Sequence, residues 1–473
     1  MIQLEAPGSS AQGPAAFRIS GKLNVKGICE KVGFKALPWQ KELFNIMAGD
    51  NRFIAVPGGK RSGKSEAVSI RGLLELFRPG SLTWVVAPSY ELCTRIFSRL
   101  ERWSYLHFPF IKVTTKNNQP ILENVQTLST LRIKSGDSKE NLKGDNPSLL
   151  LFDEAGDESN DVWYEYLQPN VSQKFTWPDG SKANPQSLFI GNTKQKNFFF
   201  DIYQRGLNHE EGYASLHVPT AIEDADGNII ASSNPEALSV EELIRIKLQT
   251  PQDIWRADWL AMFNQEDGAV FRNLKEIFRS EQFLGLCQRG HSYSFGLDPA
   301  KHVDFNVVIG ICRNCHVVKF VDRSNKLDYV FQKVRLLENI KLFGGKENVE
   351  VTMDSTGPGE SIYDELDRNG IYISPFNFSR LNAKKDLVEK LVLFIEHNRI
   401  FIPDCQETQE LKTELENFGR LDAQGKLKYE APNGKHDDCV MALALAVWPL
   451  DVEPEKTDKY KLSEEYGLYA TTY

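Results

Sequence analysis

The sequence predicts an α/β protein of two domains, and three observations lead there. Apolar, β-rich runs alternate with helical stretches from Pro38 to about Asn264. One of those runs leads into a glycine-rich loop and then a helix. After about residue 290 a second series of strands, including a hairpin, gives way to helices. Strands alternating with helices imply a parallel sheet covered on both faces. At 473 residues the chain exceeds one ordinary core and suffices for two.

Residues 1–35, rich in Gly, Ser, Ala and Pro at first, read as an arm. Residues 36–264 form the first domain, with strands expected at FIAVPGG, LTWVVAPS, LSTLRIKS, SLLLFDEA and SLFIGNT. Ser239 and Glu242 make a capping-box pattern ahead of a helix. Residues 265–290 are expected as a linker and 291–452 as the second domain. There the strands are SYSFGLD, the hairpin FNVVIGICRNCHVVKFVDRS and NVEVTMDS; helices follow, the last being the apolar CVMALALAVW. Residues 453–473 read as a polar tail.

Composition narrows the function classes. Apolar residues are 41% and charged residues 25%, as in soluble globular proteins. No apolar run approaches the ~18 residues of a membrane span, and the N-terminus lacks the basic and apolar regions of a signal peptide. A cytoplasmic protein is therefore expected. The formal charge of −8 argues against a chain coated in basic residues, so any grip on nucleic acid is local or shared among subunits. The seven cysteines form no disulfide framework. The nearest pair, Cys312 and Cys315, would need a second pair of ligands to hold zinc, and only His302 and His316 lie near. The plainer reading is a hairpin whose Arg313-Asn314 turn is flanked by cysteines.

Gly58-Gly59-Lys60-Arg61-Ser62-Gly63-Lys64-Ser65 matches the phosphate-loop pattern G-x-x-x-x-G-K-[ST], between a short apolar strand and a helix pattern. Backbone N–H groups of such a loop converge on phosphate oxygens. Lys64 would reach the β/γ-phosphates of ATP, and Ser65 would ligate Mg²⁺. Asp153 and Glu154 end the apolar strand Ser148–Phe152, where α/β ligand sites sit. Asp153 would hold Mg²⁺ and Glu154 would polarise the attacking water. Upstream, Gln40 could read the adenine edge or simply start a surface helix. Gly191-Asn192-Thr193, at the end of another strand, could sense the γ-phosphate or form an ordinary turn.

The second half places Asp298 and Asp354 at strand ends and Asp437 and Asp438 at the start of the apolar helix. Each alone could be a turn former or a helix cap. Together they could hold two divalent cations, with Asp298, Asp354 and Asp437 as leading ligands, Asp438 the fourth and Asp304 an outer member.

With these motifs in order, the chain resembles the large terminase subunits of tailed double-stranded DNA phages over nearly its whole length. GGKRSGKS, LLLFDEAGD, FIGNT, DWLAMFNQEDGAVF, GLDPAKHVDF, VTMDSTGPGES and GKLKYEAPNGKHDDCVMALALA carry the resemblance. It implies a RecA-like P-loop ATPase domain followed by an RNase H-like nuclease domain. Asp153 and Glu154 would be the Walker B pair, Gly191-Asn192-Thr193 the coupling motif, and Asp298, Asp354 and Asp437/Asp438 the holders of Mg²⁺ or Mn²⁺. It further implies double-stranded DNA as substrate, a ring of subunits on a portal protein, and a small terminase subunit. There are two departures: Lys60, with Arg61 after it, stands where many members have Arg, and the coupling motif lacks a following Pro. Lys143, in a polar loop before the Walker B strand, could reach a neighbour's ATP in a ring or be a solvated lysine; Lys60 and Arg61 are its rivals. A helicase with a nucleic-acid-binding C-terminal domain, or a repair nuclease with an ATPase switch, are the competing readings.

Overall fold

The computed structural model describes residues 25–451, except 117–118, 194–195, 264–269, 283, 288–289, 300–304, 326–328, 355–359, 422–426 and 433–434. Contacts divide the chain into two units: residues 1–244 with 253–265, and residues 245–252 with 266–473. Among the described residues no helix is long and apolar enough to cross a membrane.

The first unit is built on an eight-stranded sheet. Its strands are β1 (Phe53–Pro57), β2 (Leu82–Ala87), β3 (Ile111–Lys116), β4 (Gln119–Asn124), β5 (Ser129–Ser135), β6 (Leu149–Asp153), β7 (Gln186–Gly191) and β8 (Tyr213–Ser215), in the order β8-β1-β7-β6-β2-β5-β4-β3. All neighbours from β8 to β5 are parallel, as expected of apolar strands buried on both faces. The sheet is not wholly parallel, however. β4 runs antiparallel to β5, and β3 antiparallel to β4. Residues 112–116 of β3 are exposed, so this edge strand never acquired the apolar signature of the buried strands.

Helices α1 (Val25–Lys31), α2 (Pro38–Met47), α3 (Lys64–Glu75) and α4 (Tyr90–His107) pack with β1, β2 and β5 into one core containing Leu43, Ile70, Leu73 and Leu100. Residues 25–31, expected in an arm, are therefore helical, and Ile28 and Cys29 are buried. The capping expectation at Ser239 holds: its Oγ accepts from the Glu242 N–H at 3.2 Å, opening α5 (Val240–Leu248).

The second unit has a five-stranded sheet of β9 (Tyr293–Asp298), β10 (Asn306–Cys312), β11 (Val318–Ser324), β12 (Val349–Asp354) and β13 (Tyr372–Phe376), ordered β11-β10-β9-β12-β13. β9, β10 and β11 form the antiparallel series, while β12 and β13 continue parallel to β9. Helices α6 (Ala383–Glu396) and α7 (Asp438–Val447) cover one face. Part of the stretch expected as a linker belongs to this body. Val270 and Phe271 are buried in its core, and the two-residue strand Phe278–Arg279 pairs with Ile402–Pro403. The anchors lie over a hundred residues downstream, as in the Phe271–Phe418 ring contact, so no local pattern announced them.

Candidate active sites

The first cluster forms where parallel strands end. β1 feeds the phosphate loop, which closes at Gly63 with φ 96°, a left-handed turn that glycine adopts freely. A Cβ at residue 63 would also lie 2.9 Å from Gln40 Nε2 and would displace that amide. β6 ends at Asp153, and β7 lies between β1 and β6. Gly191, at the end of β7, is thereby set between the phosphate loop and the paired acids.

Hydrogen bonds join these parts. Ser65 Oγ donates to Asp153 Oδ2 at 2.9 Å. Asp153 Oδ1 is buried without a hydrogen-bond partner, and burial, then the Glu154 charge, push its pKa up to about 6 against the pull of Ser65 and Lys64. An unpartnered buried carboxylate oxygen beside a serine hydroxyl fits a Mg²⁺ ligand pair, and the cation would reverse that pKa shift. Lys64 Nζ donates to the Gly58 and Gly59 carbonyls, both at 2.9 Å. Glu154 sits at φ 54°, a left-handed conformation that costs a non-glycine residue about 1–3 kcal/mol. Asn192 Nδ2 donates to Glu154 Oε2 at 3.2 Å and to Asp157 Oδ2 at 3.1 Å. The Gly58 N–H donates to the Gly191 carbonyl at 2.8 Å. Thr193 Oγ1 donates to the carbonyls of Ala257 and Met262. The Gly-Asn-Thr triplet thus touches the phosphate loop, the acid pair and the segment after α5.

Four candidates occupy places that the sequence did not specify. Gln40 is buried under the loop: its Oε1 accepts from the Leu37 N–H and its Nε2 donates to the Gly63 carbonyl, so both ends brace the protein. Lys60 is held by Asp258, whose Oδ2 is 2.7 Å from Lys60 Nζ and whose carboxylate is buried. Arg61 is exposed at the loop, with φ 64°, and its carbonyl accepts from Asn234 Nδ2. Lys143 lies in an exposed loop, 3.2 Å from Glu140 Oε2 and over the Tyr166 ring at 5.1 Å. Sequence reading missed Asp258, although the DWLAMFNQEDGAVF run that contains it was singled out. It also missed Trp39, whose Nε1 donates to the Ser62 carbonyl.

The other candidate acids lie in the second unit. Leu297 is in register with Met353, so Asp298 and Asp354 end neighbouring parallel strands. α7 lies directly on β9. A Cβ at Gly296 would come 2.0 Å from the Ala442 carbonyl oxygen, and Ser294 Oγ donates to the Ala446 carbonyl at 2.6 Å. Helix positions 446 and 442 thus meet strand positions 294 and 296, a progression that carries the start of the helix towards Asp298. Asp438 Oδ2 accepts from the Phe305 N–H at 3.0 Å, and Lys384 Nζ donates to Asp437 Oδ2 at 3.0 Å. Asp304 lies outside the described residues.

The helix-cap alternative for Asp437 fails on its geometry. Asp437 makes no side-chain cap bond; the N–H groups of Cys439 and Val440 go instead to the buried Glu414 Oε2, at 2.7 and 3.3 Å. Glu414 does the capping from 25 residues upstream, where no local pattern marks it. Burial pushes its pKa upward, opposed by the hydrogen bonds from Cys439. The acids at 298, 354, 437 and 438 offer only hard oxygen donors, a set that fits Mg²⁺ or Mn²⁺.

No family model matches the chain. It is 28% identical, over 440 residues and 86% of each chain, to the large terminase subunit of Thermus phage G20c. The chain is a homologue of the phage large terminase subunits. Among solved structures, the ATPase domain of the Thermus phage P74-26 large terminase is 25% identical, covering 50% of this chain and 97% of that one, with a TM-score of 0.40. The magnesium-bound nuclease of the phage G20c large terminase is 27% identical, covering 39% and 99%, with a TM-score of 0.33. The fold class is α/β as expected, an α/β unit that carries the phosphate loop followed by a second α/β unit.

Proposed function

We propose that the chain is the ATP-hydrolysing and DNA-cutting subunit of a viral packaging motor, which moves double-stranded DNA into a procapsid and cuts concatemers. The observation that carries this reading is the presence, in one chain, of a complete phosphate loop joined to Asp153 and of Asp298 and Asp354 at the ends of neighbouring strands in a second unit. Relationship to large terminase subunits over 86% of the chain supports it.

In the ATPase unit, phosphate-loop N–H groups would cradle ATP, and Lys64 would turn from its glycine carbonyls to the β/γ-phosphates. Ser65 and Asp153 would hold Mg²⁺, which supplies charge neutralisation for the phosphates. Glu154 would orient the attacking water and take its proton, with Asn192 fixing the carboxylate. In the nuclease unit, Asp298, Asp354, Asp437 and Asp438 would hold two Mg²⁺ or Mn²⁺ ions, which activate water and stabilise the leaving oxygen. Lys384 lies against Asp437 and would offset charge there when no cation does. The partners of this reading are double-stranded DNA, a portal protein, a small terminase subunit and further copies of this chain in a ring, all in the host cytoplasm.

Incubation with plasmid and Mn²⁺ in the absence of ATP tests the nuclease. Intact plasmid would overturn that half and leave a helicase. Packaging of DNA into empty procapsids separates a packaging motor from a repair nuclease.

A further inference from the structure

Apart from both acid clusters, the second unit gathers three thiols and an imidazole. Cys312 ends β10, and Cys315 lies in the tight turn before β11. The turn is closed by the His316 N–H donating to the Cys312 carbonyl at 2.9 Å, with His316 at φ 53°. The other pair, Cys287 and His291, comes from the segment that leads into β9. That segment is fastened to the hairpin by three hydrogen bonds: Arg313 N–H to the Ser292 carbonyl, Ser292 N–H to the Asn314 side-chain Oδ1, and Gly285 N–H to the Lys319 carbonyl. The Cys287 N–H also donates to the Tyr293 hydroxyl at 2.8 Å.

One ligand atom from each of Cys287, His291, Cys312 and Cys315 lies within 4.8 Å of all the others. Cys287 Sγ stands 3.6 Å from Cys315 Sγ, and His291 Nδ1 stands 3.2 Å from Cys312 Sγ. Around tetrahedral zinc, with bonds of about 2.3 Å to sulfur and 2.0 Å to nitrogen, neighbouring ligand atoms are roughly 3.5–3.8 Å apart. All the separations lie within 4.8 Å, so movements of up to about an ångström would complete that geometry. A sulfur separation of 3.6 Å is far from a disulfide bond.

We propose that Cys287, His291, Cys312 and Cys315 form a structural zinc site that staples the entry of the second unit to its first hairpin. Three soft thiolates and one imidazole select zinc over Mg²⁺ or Mn²⁺. Four protein ligands leave no open position for substrate or water, the arrangement of structural rather than catalytic zinc. Each thiol gives its proton to solvent as the metal binds. The site lies at the opposite end of β9 from Asp298, since Tyr293 pairs with Cys312 and Asp298 with Val307. Five residues of strand put roughly 17 Å between those ends. The sequence signature is Cys-x-x-x-His followed, one strand-turn later, by Cys-x-x-Cys; searching for the second pair only beside the hairpin missed it. The proposal stands independently of the nuclease reading.

The test is metal analysis of the full chain from zinc-supplemented cells, with the Asp298→Asn/Asp354→Asn double variant beside it. One zinc per chain is expected in both, released in full by a thiol-reactive mercurial. The same chain produced in cobalt medium should show thiolate-to-cobalt charge transfer and tetrahedral ligand-field absorption. Cys315→Ser, at an exposed position, should lose the zinc, and the wild-type cobalt spectrum decides the matter if that variant does not fold. Zinc that disappears with the Asp298 and Asp354 carboxylates, a wild-type chain without thiolate-cobalt bands, or a Cys287–Cys315 disulfide in the intact mass would each overturn the proposal.

Discussion

The two acid clusters are assembled by different means. In the first unit a continuous strand-loop-helix segment supplies Lys64 and Ser65, and the ends of β6 and β7 complete the site through side-chain hydrogen bonds. In the second unit no segment supplies more than two of the acids. Strand register sets Asp298 and Asp354 at the ends of neighbouring strands, and in the proposed site the close packing of α7 on β9 would bring Asp437 and Asp438 toward them. One site therefore depends on particular polar contacts and the other on how closely a helix can approach a strand. Substitutions that remove a polar group should act on turnover in the first unit, and substitutions that add bulk should act on assembly in the second.

The largest effects come from breaking each site at its chemistry. Lys64→Ala should reduce ATP hydrolysis by at least about 10²-fold, because a charge opposite the transferring phosphoryl group is lost. Plasmid cleavage with Mn²⁺ and no ATP should be unchanged. Phosphate release near the wild-type rate would dismiss the loop as the catalytic one. Asp354→Asn should do the reverse, removing cleavage by a similar factor while ATP hydrolysis persists. If it and the Asp298→Asn and Asp437→Asn variants all cut plasmid normally, the nuclease assignment is lost.

Gly296→Ala tests the packing half of the comparison. The added methyl meets two backbone groups of α7, at 2.0 and 2.3 Å, and neither can turn away as a side chain could. A loss of about 1–3 kcal/mol is expected from overpacking, together with weaker cleavage as the helix start is pushed from Asp298. ATP hydrolysis should hold. Chemical denaturation followed by a probe in the second unit measures this, and wild-type stability with full cleavage would show that the helix is not tightly seated.

Legibility followed the same division. The phosphate loop and the Asp153–Glu154 strand could be read because their residues are consecutive and their flanking elements are local. Asp298, Asp354 and Asp437 could be chosen as strand-end and helix-start acids, but Glu414 could not, since nothing beside it marks a buried residue as the cap of a distant helix. From sequence Gln40 reads equally as a contact to adenine or as the start of a surface helix, whereas its two hydrogen bonds under the loop depend on how α2 folds against Gly63. The β3–β4 hairpin was invisible because an exposed edge strand needs no apolar alternation.

Asn192→Ala sharpens the contrast at smaller scale. It removes the bonds to Glu154 and Asp157 while leaving Ser65, Lys64 and Asp153 in place. About a 10-fold fall in kcat with little change in KM for ATP is expected, since a hydrogen bond to a charged group is worth about 1.5–3 kcal/mol. A change confined to KM would mean that Asn192 helps bind nucleotide rather than orient Glu154.

The smallest effect in the isolated chain is expected at Lys143, and its size should depend on assembly. Its rival Lys60 is held 2.7 Å from the buried Asp258 carboxylate, so moving it to another subunit would leave that charge unpaired. Among the described residues Lys143 meets exposed Glu140 and lies over the Tyr166 ring, contacts worth little in solvent and readily exchanged. A compact, mobile cation at a loop before the Walker B strand suits delivery to a neighbouring γ-phosphate, as a point charge without a bidentate fork. Lys143→Ala should therefore leave nucleotide binding and thermal stability of the free subunit unchanged. In the motor assembled on portal and DNA it should depress ATP turnover, and in mixed rings it should silence the neighbour's site. Wild-type turnover by that assembled motor would return Lys143 to the solvated surface and pass the role to exposed Arg61, whose removal would be the next measurement.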